Sequence, residues 1–222
     1  MSMPRRTLGR TGLEVSRLGF GGAPIGLSGY LGDPDRSQPQ HRAEAIAALH
    51  RAAELGVTWF DTAPGYGQGL SETLIGEALA PVRGRIRIAT KVKFRPEAGV
   101  ADYDGELAAS LARLRTDRVD LLQIHGSQYT AGLVAEMERS GFLAWLEGTR
   151  RRGLARFIGI TAETPSGALE DLVTDGRFDV LQVAYSIIYQ GACDHQREPF
   201  GIIPLARRHG LGVAVMRAAT SG

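Results

Sequence analysis

Residues 58–124 contain three short apolar segments, TWFD (58–61), RIATK (87–91) and VDLLQI (119–124), separated by stretches with helical spacing. Short continuous apolar strands between amphipathic helices are what a parallel sheet buried on both faces requires. These residues therefore predict an α/β fold with a parallel sheet.

The same alternation extends in both directions along the chain. A hairpin is predicted in RTLGRTGLEVSRLGF (6–20), and its last residues merge with a first strand over 18–21. Further strands are predicted at 157–161, 180–185 and 212–216, with helices at 42–55, 72–79, 104–114, 141–152, 165–175 and 199–209. No linker divides residues 1–222, so we expect one domain, a TIM-type (β/α)₈ barrel preceded by a β-hairpin.

The strand count is seven, whereas a (β/α)₈ barrel has eight. Because open parallel edges need partners, we expect a homo-oligomer, or a partner protein that covers the edge. The region 28–40, rich in Gly, Pro and Asp, has two interpretations, a substrate lid and a disordered segment, and we expect an ordered loop.

Four polar residues follow the C-terminal ends of predicted strands. They are Asp61, Tyr66, Lys91 and His125. Parallel strands in a barrel deliver these ends to one rim, where catalytic residues gather. An ammonium within about 4 to 6 Å of a phenol lowers the pKa of the phenol, and a carboxylate can hold that ammonium in place. The set therefore predicts a general acid with electrostatic support.

Each of these residues has an ordinary structural interpretation when it is taken alone. A turn such as Asp-Thr-Ala-Pro often caps a helix, a tyrosine at a strand end often packs, and a lysine is often a solvated cation. Their combination, in this order and at these strand ends, favours a site.

At these residues the chain resembles the aldo-keto reductase family. The resemblance is carried by FDTAPGYG (60–67), GLSETLIGEAL (69–79), ATKV (89–92) and QIH (123–125), and it extends from about residue 7 to the last residue. It implies a catalytic tetrad of Asp61, Tyr66, Lys91 and His125, with Tyr66 as the general acid. It also implies a nicotinamide cofactor, usually NADPH, and a small-molecule carbonyl substrate.

The resemblance also implies which residues hold the cofactor, although several depart from the family pattern. Thr161 and Ala162 stand where the family has Ser-Asn, Gln182 matches, and Arg217 replaces an aromatic residue that stacks on nicotinamide. Gly21, Gly22 and Ala23 fit a close approach of backbone to a ligand. Thr161 and Gln182 have an alternative role, in which they only satisfy backbone groups at strand ends.

Composition argues against several other classes of protein. The formal net charge of +2 and the dispersed arginines argue against nucleic-acid binding. Cys193 is the single cysteine and the histidines lack ligand spacing, so we expect no disulfide and no metal site. No apolar run approaches the length of a membrane span, and we expect a cytoplasmic protein.

Three functions remain open from the sequence. The first is reduction of an aldehyde or ketone by NADPH. The second is proton-transfer chemistry without hydride, such as elimination, isomerisation or cyclisation, on the same four residues. The third is a non-catalytic subunit or binding module. The four intact polar residues argue against it, because a binding role does not require Tyr66 and Lys91.

Overall fold

The computed structural model describes residues 3–29, 38–192 and 201–219. Their strands form two sheets, one of two strands and one of seven. The two-stranded sheet consists of β1 (Arg5–Thr7) and β2 (Glu14–Ser16), which is the predicted N-terminal hairpin. The seven strands of the larger sheet are β3 (Phe20–Gly21), β4 (Trp59–Asp61), β5 (Arg87–Val92), β6 (Val119–Ile124), β7 (Ala155–Ala162), β8 (Val180–Ala184) and β9 (Gly212–Met216).

The larger sheet follows the order of the chain, β3 to β9, without any crossover between non-consecutive strands. The pairs β3–β4, β4–β5, β7–β8 and β8–β9 are parallel. Every residue of β6 and of β8 is buried, as expected for strands that are covered on both faces. The predicted fold class is confirmed, with seven strands in the described residues.

Helices connect the strands. They are α1 (Ala23–Gly26), α2 (Pro39–Glu54), α3 (Leu70–Leu79), α4 (Val100–Arg113), α5 (Ala131–Arg139), α6 (Phe142–Arg151), α7 (Gly167–Thr174) and α8 (Ile202–Arg208), with 3₁₀ turns at Gly9–Thr11 and Ala80–Arg85. Most of the loop predicted over 28–40 lies outside the described residues, as does Cys193.

Several helix boundaries differ from the prediction by one to four residues, and two helices, α1 and α5, were not predicted. Helix α2 begins at Pro39, whose fixed φ suits the first helical position, and α4 begins at Val100 instead of 104. Helix α5 was not predicted, although the Thr130 side chain caps it by accepting from the Leu133 amide. Met137 is its one buried residue, so its apolar signal is weak.

The chain divides into two compact units whose boundary falls inside β6. The first comprises Met1–Arg6, Glu14–Val92 and Ala101–Leu121, and the second comprises Thr7–Leu13, Lys93–Val100 and Leu122–Gly222. The first unit buries Leu49, Phe60, Leu74, Ile75 and Ile88, and the second buries Phe142, Leu146, Ile158, Leu169 and Val180. The expectation of a single domain stays a prediction.

Both units fix a strand start with a buried aspartate. Asp120 accepts a hydrogen bond from the Ile88 amide, and Asp179 accepts one from the Ile158 amide. Arginines neutralise each carboxylate, namely Arg83 for Asp120, and Arg10 and Arg150 for Asp179. These charges are satisfied near the N-terminal ends of strands β6 and β8.

Candidate active site

Lys91 is the centre of the candidate site in the first unit. Its Nζ lies 2.7 Å from Asp61 Oδ2, 2.8 Å from the Thr62 carbonyl oxygen and 3.3 Å from Tyr66 Oη. It also lies 4.9 Å from the centre of the Tyr66 ring. Because the residue is only 3% exposed, these protein atoms replace the water that would otherwise solvate the ammonium.

Strand pairing explains why Asp61 and Lys91 meet. Asp61 ends β4 and is opposite Ala89 of β5. Residues two apart on a strand share a face, so Lys91 projects on the same side as Ala89, two residues beyond the position opposite Asp61. The Thr62 amide donates to the Ala89 carbonyl oxygen at 2.9 Å, which extends the pairing to the residue that also binds Lys91.

Tyr66 is held by a tight loop between β4 and α3. The Ser71 amide donates to the Tyr66 carbonyl oxygen at 3.2 Å, and the Leu70 amide donates to the Gly67 carbonyl oxygen at 3.0 Å. Gly67 has φ of +67°, and a Cβ there would lie 2.1 Å from the Gly26 carbonyl oxygen. A Cβ on Gly26 would in turn lie 2.5 Å from the Tyr66 carbonyl oxygen. Only glycines allow this approach of α1 to the loop.

A buried carboxylate supports the same region from α3. Glu72 is fully buried; its Oε1 accepts from the Thr90 hydroxyl at 2.6 Å, and its Oε2 accepts from Arg113 at 2.7 Å. Thr90 precedes Lys91 directly in β5. Sequence reasoning missed this contact. The signal was an acidic residue inside the apolar stretch LSETLIGEAL, which needs a cation nearby if it is buried.

The two glycines of the Gly21–Ala23 turn have different surroundings. The Gly22 amide donates to the Asp61 carbonyl oxygen at 2.7 Å, and a Cβ on Gly22 would lie 2.4 Å from Ser71 Oγ. Packing within the protein therefore accounts for Gly22. Gly21 pairs with Asp61, yet a Cβ on it would meet no described atom within 4 Å. Among the described residues, nothing fills the space beside the missing Cβ of Gly21. Ala23 begins α1.

His125 belongs to the second unit, where it follows Ile124, the last residue of β6. The hydroxyl of Thr161, at the end of β7, lies 2.8 Å from the Gly126 carbonyl oxygen and 3.1 Å from the Ile124 carbonyl oxygen. It also accepts from the Gly126 amide at 3.0 Å. The backbone role that was left open for Thr161 is therefore present.

Gln182 and Arg217, in the same unit, also contact protein groups. Gln182 Oε1 accepts from Gln123 Nε2 at 2.9 Å, and both side chains are buried. Arg217 follows β9 with φ of +59° and donates to Glu163 Oε1 at 2.6 Å. A positive φ is uncommon for a residue with a Cβ. Glu163 was not predicted, because it lies 54 residues from Arg217 in the chain.

Two classes of site were sought in residues 3–29, 38–192 and 201–219. Within these ranges no group of three His, Cys, Asp or Glu side chains could hold a metal ion. No helix in the described part of the chain is long and apolar enough to cross a membrane.

The strands follow one another in a parallel α/β sheet, and a buried lysine at the strand ends binds a carboxylate and a phenol. The chain belongs to the aldo/keto reductase family, since the model of that family matches residues 17–222.

Individual relatives agree with the family. L-galactose dehydrogenase of Arabidopsis thaliana is 31% identical over 220 residues, which cover 94% of this chain and 63% of that protein. The holo form of aldo-keto reductase AKR11C1 from Bacillus halodurans has a TM-score of 0.72 and is 28% identical. The match covers 96% of this chain and 65% of the Bacillus halodurans chain. The chain thus spans less than two thirds of the length of these relatives.

A more distant structure supports the fold alone. An aldo/keto reductase from Klebsiella pneumoniae, solved in complex with NADP and acetate, is 22% identical with a TM-score of 0.73. The match covers 98% of this chain and 68% of that one.

Proposed function

We propose that the protein reduces a small aldehyde or ketone to an alcohol with NADPH. The observation that carries this proposal is the contact of the buried Lys91 ammonium with both Asp61 and Tyr66. A phenol whose oxygen lies 3.3 Å from a fixed cation can lose its proton at a lower cost than a phenol in water.

The protein's own residues supply the proton in this reaction. Tyr66 Oη gives its proton to the carbonyl oxygen of the substrate, and Lys91 stabilises the phenolate that remains until solvent returns a proton. Asp61 Oδ2 accepts a hydrogen bond from Lys91 Nζ and orients it. When bound, NADPH supplies the hydride that adds to the carbonyl carbon, so the substrate gains H⁻ and H⁺ and becomes an alcohol. His125 is assigned to the substrate oxygen from its place in the family motif.

The residues assigned to NADPH fit the cofactor in part. Gly21 has open space at its missing Cβ among the described residues, whereas the Gln182 carboxamide already accepts from Gln123 Nε2. Gly22, Ala23, Thr161 and Arg217 are assigned by motif position. The Thr161 hydroxyl and the Arg217 guanidinium already bind protein groups. Arg217 would therefore have to exchange Glu163 for the nicotinamide if it stacks there.

That prior engagement of Thr161 and Arg217 is the observation that favours the second candidate. Proton-transfer chemistry without hydride, such as an isomerisation, needs Tyr66, Lys91 and Asp61 but not the cofactor contacts. The two functions differ in one binding measurement, which is the affinity for NADPH.

The test is a fluorescence titration of the full chain with NADPH and NADH, followed by cofactor consumption with a panel of aromatic and aliphatic aldehydes. We expect micromolar binding of NADPH and measurable consumption. In Tyr66→Phe, turnover should fall about 100-fold or more, while the Kd for NADPH stays unchanged because the lost oxygen acts on the substrate. A Kd weaker than about 1 mM, or only about 4 kcal/mol, would favour chemistry without hydride.

A cytoplasmic location and association of the chain with a second copy or another protein are further predictions. Cell fractionation tests the first, and light scattering of the purified chain at tens of micromolar tests the second.

A further inference from the structure

His125 is the central residue of a turn whose two flanking residues are hydrogen-bonded to each other. The Gly126 amide donates to the Ile124 carbonyl oxygen at 3.1 Å, so the residues before and after His125 are bonded across it. This hydrogen bond between residues i and i+2 is the pattern of a γ-turn. Since His125 is its central residue, the geometry of the turn sets the direction in which the imidazole leaves the backbone.

The Thr161 hydroxyl binds the same turn from β7. It accepts from the Gly126 amide at 3.0 Å, and two carbonyl oxygens, those of Ile124 and Gly126, lie within reach of its single proton. Thr161 is buried. Its only hydrogen-bonding side-chain atom is therefore used on the backbone that flanks His125.

Tyr129 continues this arrangement on the other side of the turn. Its hydroxyl donates to the Thr161 carbonyl oxygen at 3.1 Å, and a Cβ on Gly126 would lie 2.3 Å from that hydroxyl. The Tyr129 carbonyl oxygen accepts from Ser166 Oγ at 2.8 Å. A fully buried aromatic ring thus packs directly against Gly126.

We propose that Thr161 is a positioning residue for His125, held by Tyr129, and that its hydroxyl is not a cofactor ligand. The consequence for catalysis rests on the proposed function, because His125 must orient a substrate oxygen for its position to affect turnover. The structural part, that the Thr161 hydroxyl sets the environment of the His125 ring, is independent of any reaction.

The two roles of Thr161 predict different behaviour in Thr161→Val. Valine has the shape of threonine and suits a buried strand, but it has no hydroxyl. A cofactor ligand would show its loss in the Kd for NADPH. A positioning residue would leave that Kd unchanged and lower kcat by about 10-fold to 100-fold, the cost of a misplaced group in the reacting complex. Thr161→Ser keeps the hydroxyl and should restore kcat.

An activity-independent readout comes from nuclear magnetic resonance of the full chain with ¹⁵N-labelled histidine. The His125 ring signals are assigned by their loss in His125→Asn. In Thr161→Val we expect these signals to shift or broaden, while those of His41, His50 and His209 stay in place and Thr161→Ser resembles the wild type. Tyr129→Phe, which keeps the ring and removes the hydroxyl, should shift the same signals less.

Thr149→Val is the matched control, because the Thr149 hydroxyl is also buried but donates to Leu146 within α6. It should leave the His125 signals unchanged. Unchanged His125 signals in Thr161→Val, or a Kd for NADPH weakened about 10-fold with His125 unmoved, would overturn the proposal. If the wild type reduces no carbonyl, the proposed function fails, but the resonance shifts still decide whether Thr161 positions His125. If Thr161→Val does not fold, Tyr129→Phe and Thr161→Ser decide it by the same signals.

Discussion

At the scale of single residues, the site depends on one buried cation. An ammonium that is removed from water is costly unless hydrogen-bond acceptors surround it. Lys91 has a carboxylate, a carbonyl oxygen and a phenol as partners. The same contacts that make its burial tolerable also place its charge beside the Tyr66 oxygen, so under the proposed function they would serve both stability and chemistry.

Replacing this cation tests the link. Lys91→Met keeps most of the side-chain volume but removes the charge, so the Tyr66 phenolate loses its stabilising partner and turnover should fall about 100-fold or more. Steady-state kinetics with NADPH and an aldehyde would measure the fall. Lys93→Met, an exposed lysine two residues further on, is the control and should retain wild-type turnover. Comparable turnover in both variants would remove Lys91 from the mechanism.

Tyr129 provides a second prediction at this scale. Burial raises the pKa of the Tyr129 phenol well above its ordinary value. Its contribution to stability is therefore complete below about pH 10, where an unfolded tyrosine is neutral, and is lost as the pH rises above that value, because only the unfolded state then ionises. Relative to Tyr129→Phe, the wild type should lose about 1.4 kcal/mol per pH unit in this range.

Denaturant unfolding of wild type and Tyr129→Phe at about pH 8 and pH 11 would measure this loss. An ultraviolet titration of the folded proteins should show equal ionisation amplitudes in the two, because the raised pKa keeps the Tyr129 phenol protonated in the folded state over this range. A larger amplitude in the wild type over the same range would show that the Tyr129 phenol ionises in the native state.

At the scale of elements, Glu72 joins three parts of the first unit. The carboxylate comes from α3, and its partners Thr90 and Arg113 come from β5 and α4. Gly76 allows the approach of α3 to the end of α4, because a Cβ there would lie 2.2 Å from the Arg113 carbonyl oxygen. The family motif around Glu72 thus encodes packing that holds β5, the strand that carries Lys91.

Removing the cation from this contact should be costly. Arg113→Met leaves the Glu72 carboxylate buried without its ion pair, and we expect the free energy of unfolding to fall by about 3 to 5 kcal/mol in denaturant titrations. Adding Glu72→Gln should recover part of the loss, since the amide carries no charge. Arg51→Met breaks an exposed pair with Glu54 and should cost less than about 1 kcal/mol. Equal losses in Arg113→Met and Arg51→Met would contradict this account of Glu72.

At the scale of the whole molecule, the alternation of strands and helices could be predicted because the spacing of apolar residues within each segment indicates its type. The order of the strands and the meeting of Asp61 with Lys91 follow from that alternation. Contacts between distant side chains could not be predicted in this way. The ion pair of Glu163 with Arg217 and the use of Thr161 by the His125 turn depend on loop conformations that no local pattern specifies.

The two compact units permit a test of the single-domain prediction. The chain has two tryptophans, Trp59 in the first unit and Trp145 in the second, and both are buried. Trp59→Phe and Trp145→Phe each leave one fluorescent reporter. If the chain unfolds as one domain, each variant's fluorescence transition should coincide with its own circular dichroism transition. Separate transitions within one variant would show that the units unfold independently.

The central claim is that Tyr66 and Lys91 serve hydride transfer to a carbonyl. It is tested most directly by incubating the chain with an aldehyde and NADPH deuterated at the transferable position of C4, and measuring deuterium in the alcohol by mass spectrometry. We predict one deuterium per alcohol in the wild type and about 100-fold less alcohol with Tyr66→Phe. Folded wild-type protein that gives no deuterated alcohol across a broad panel of aldehydes and ketones would contradict the claim.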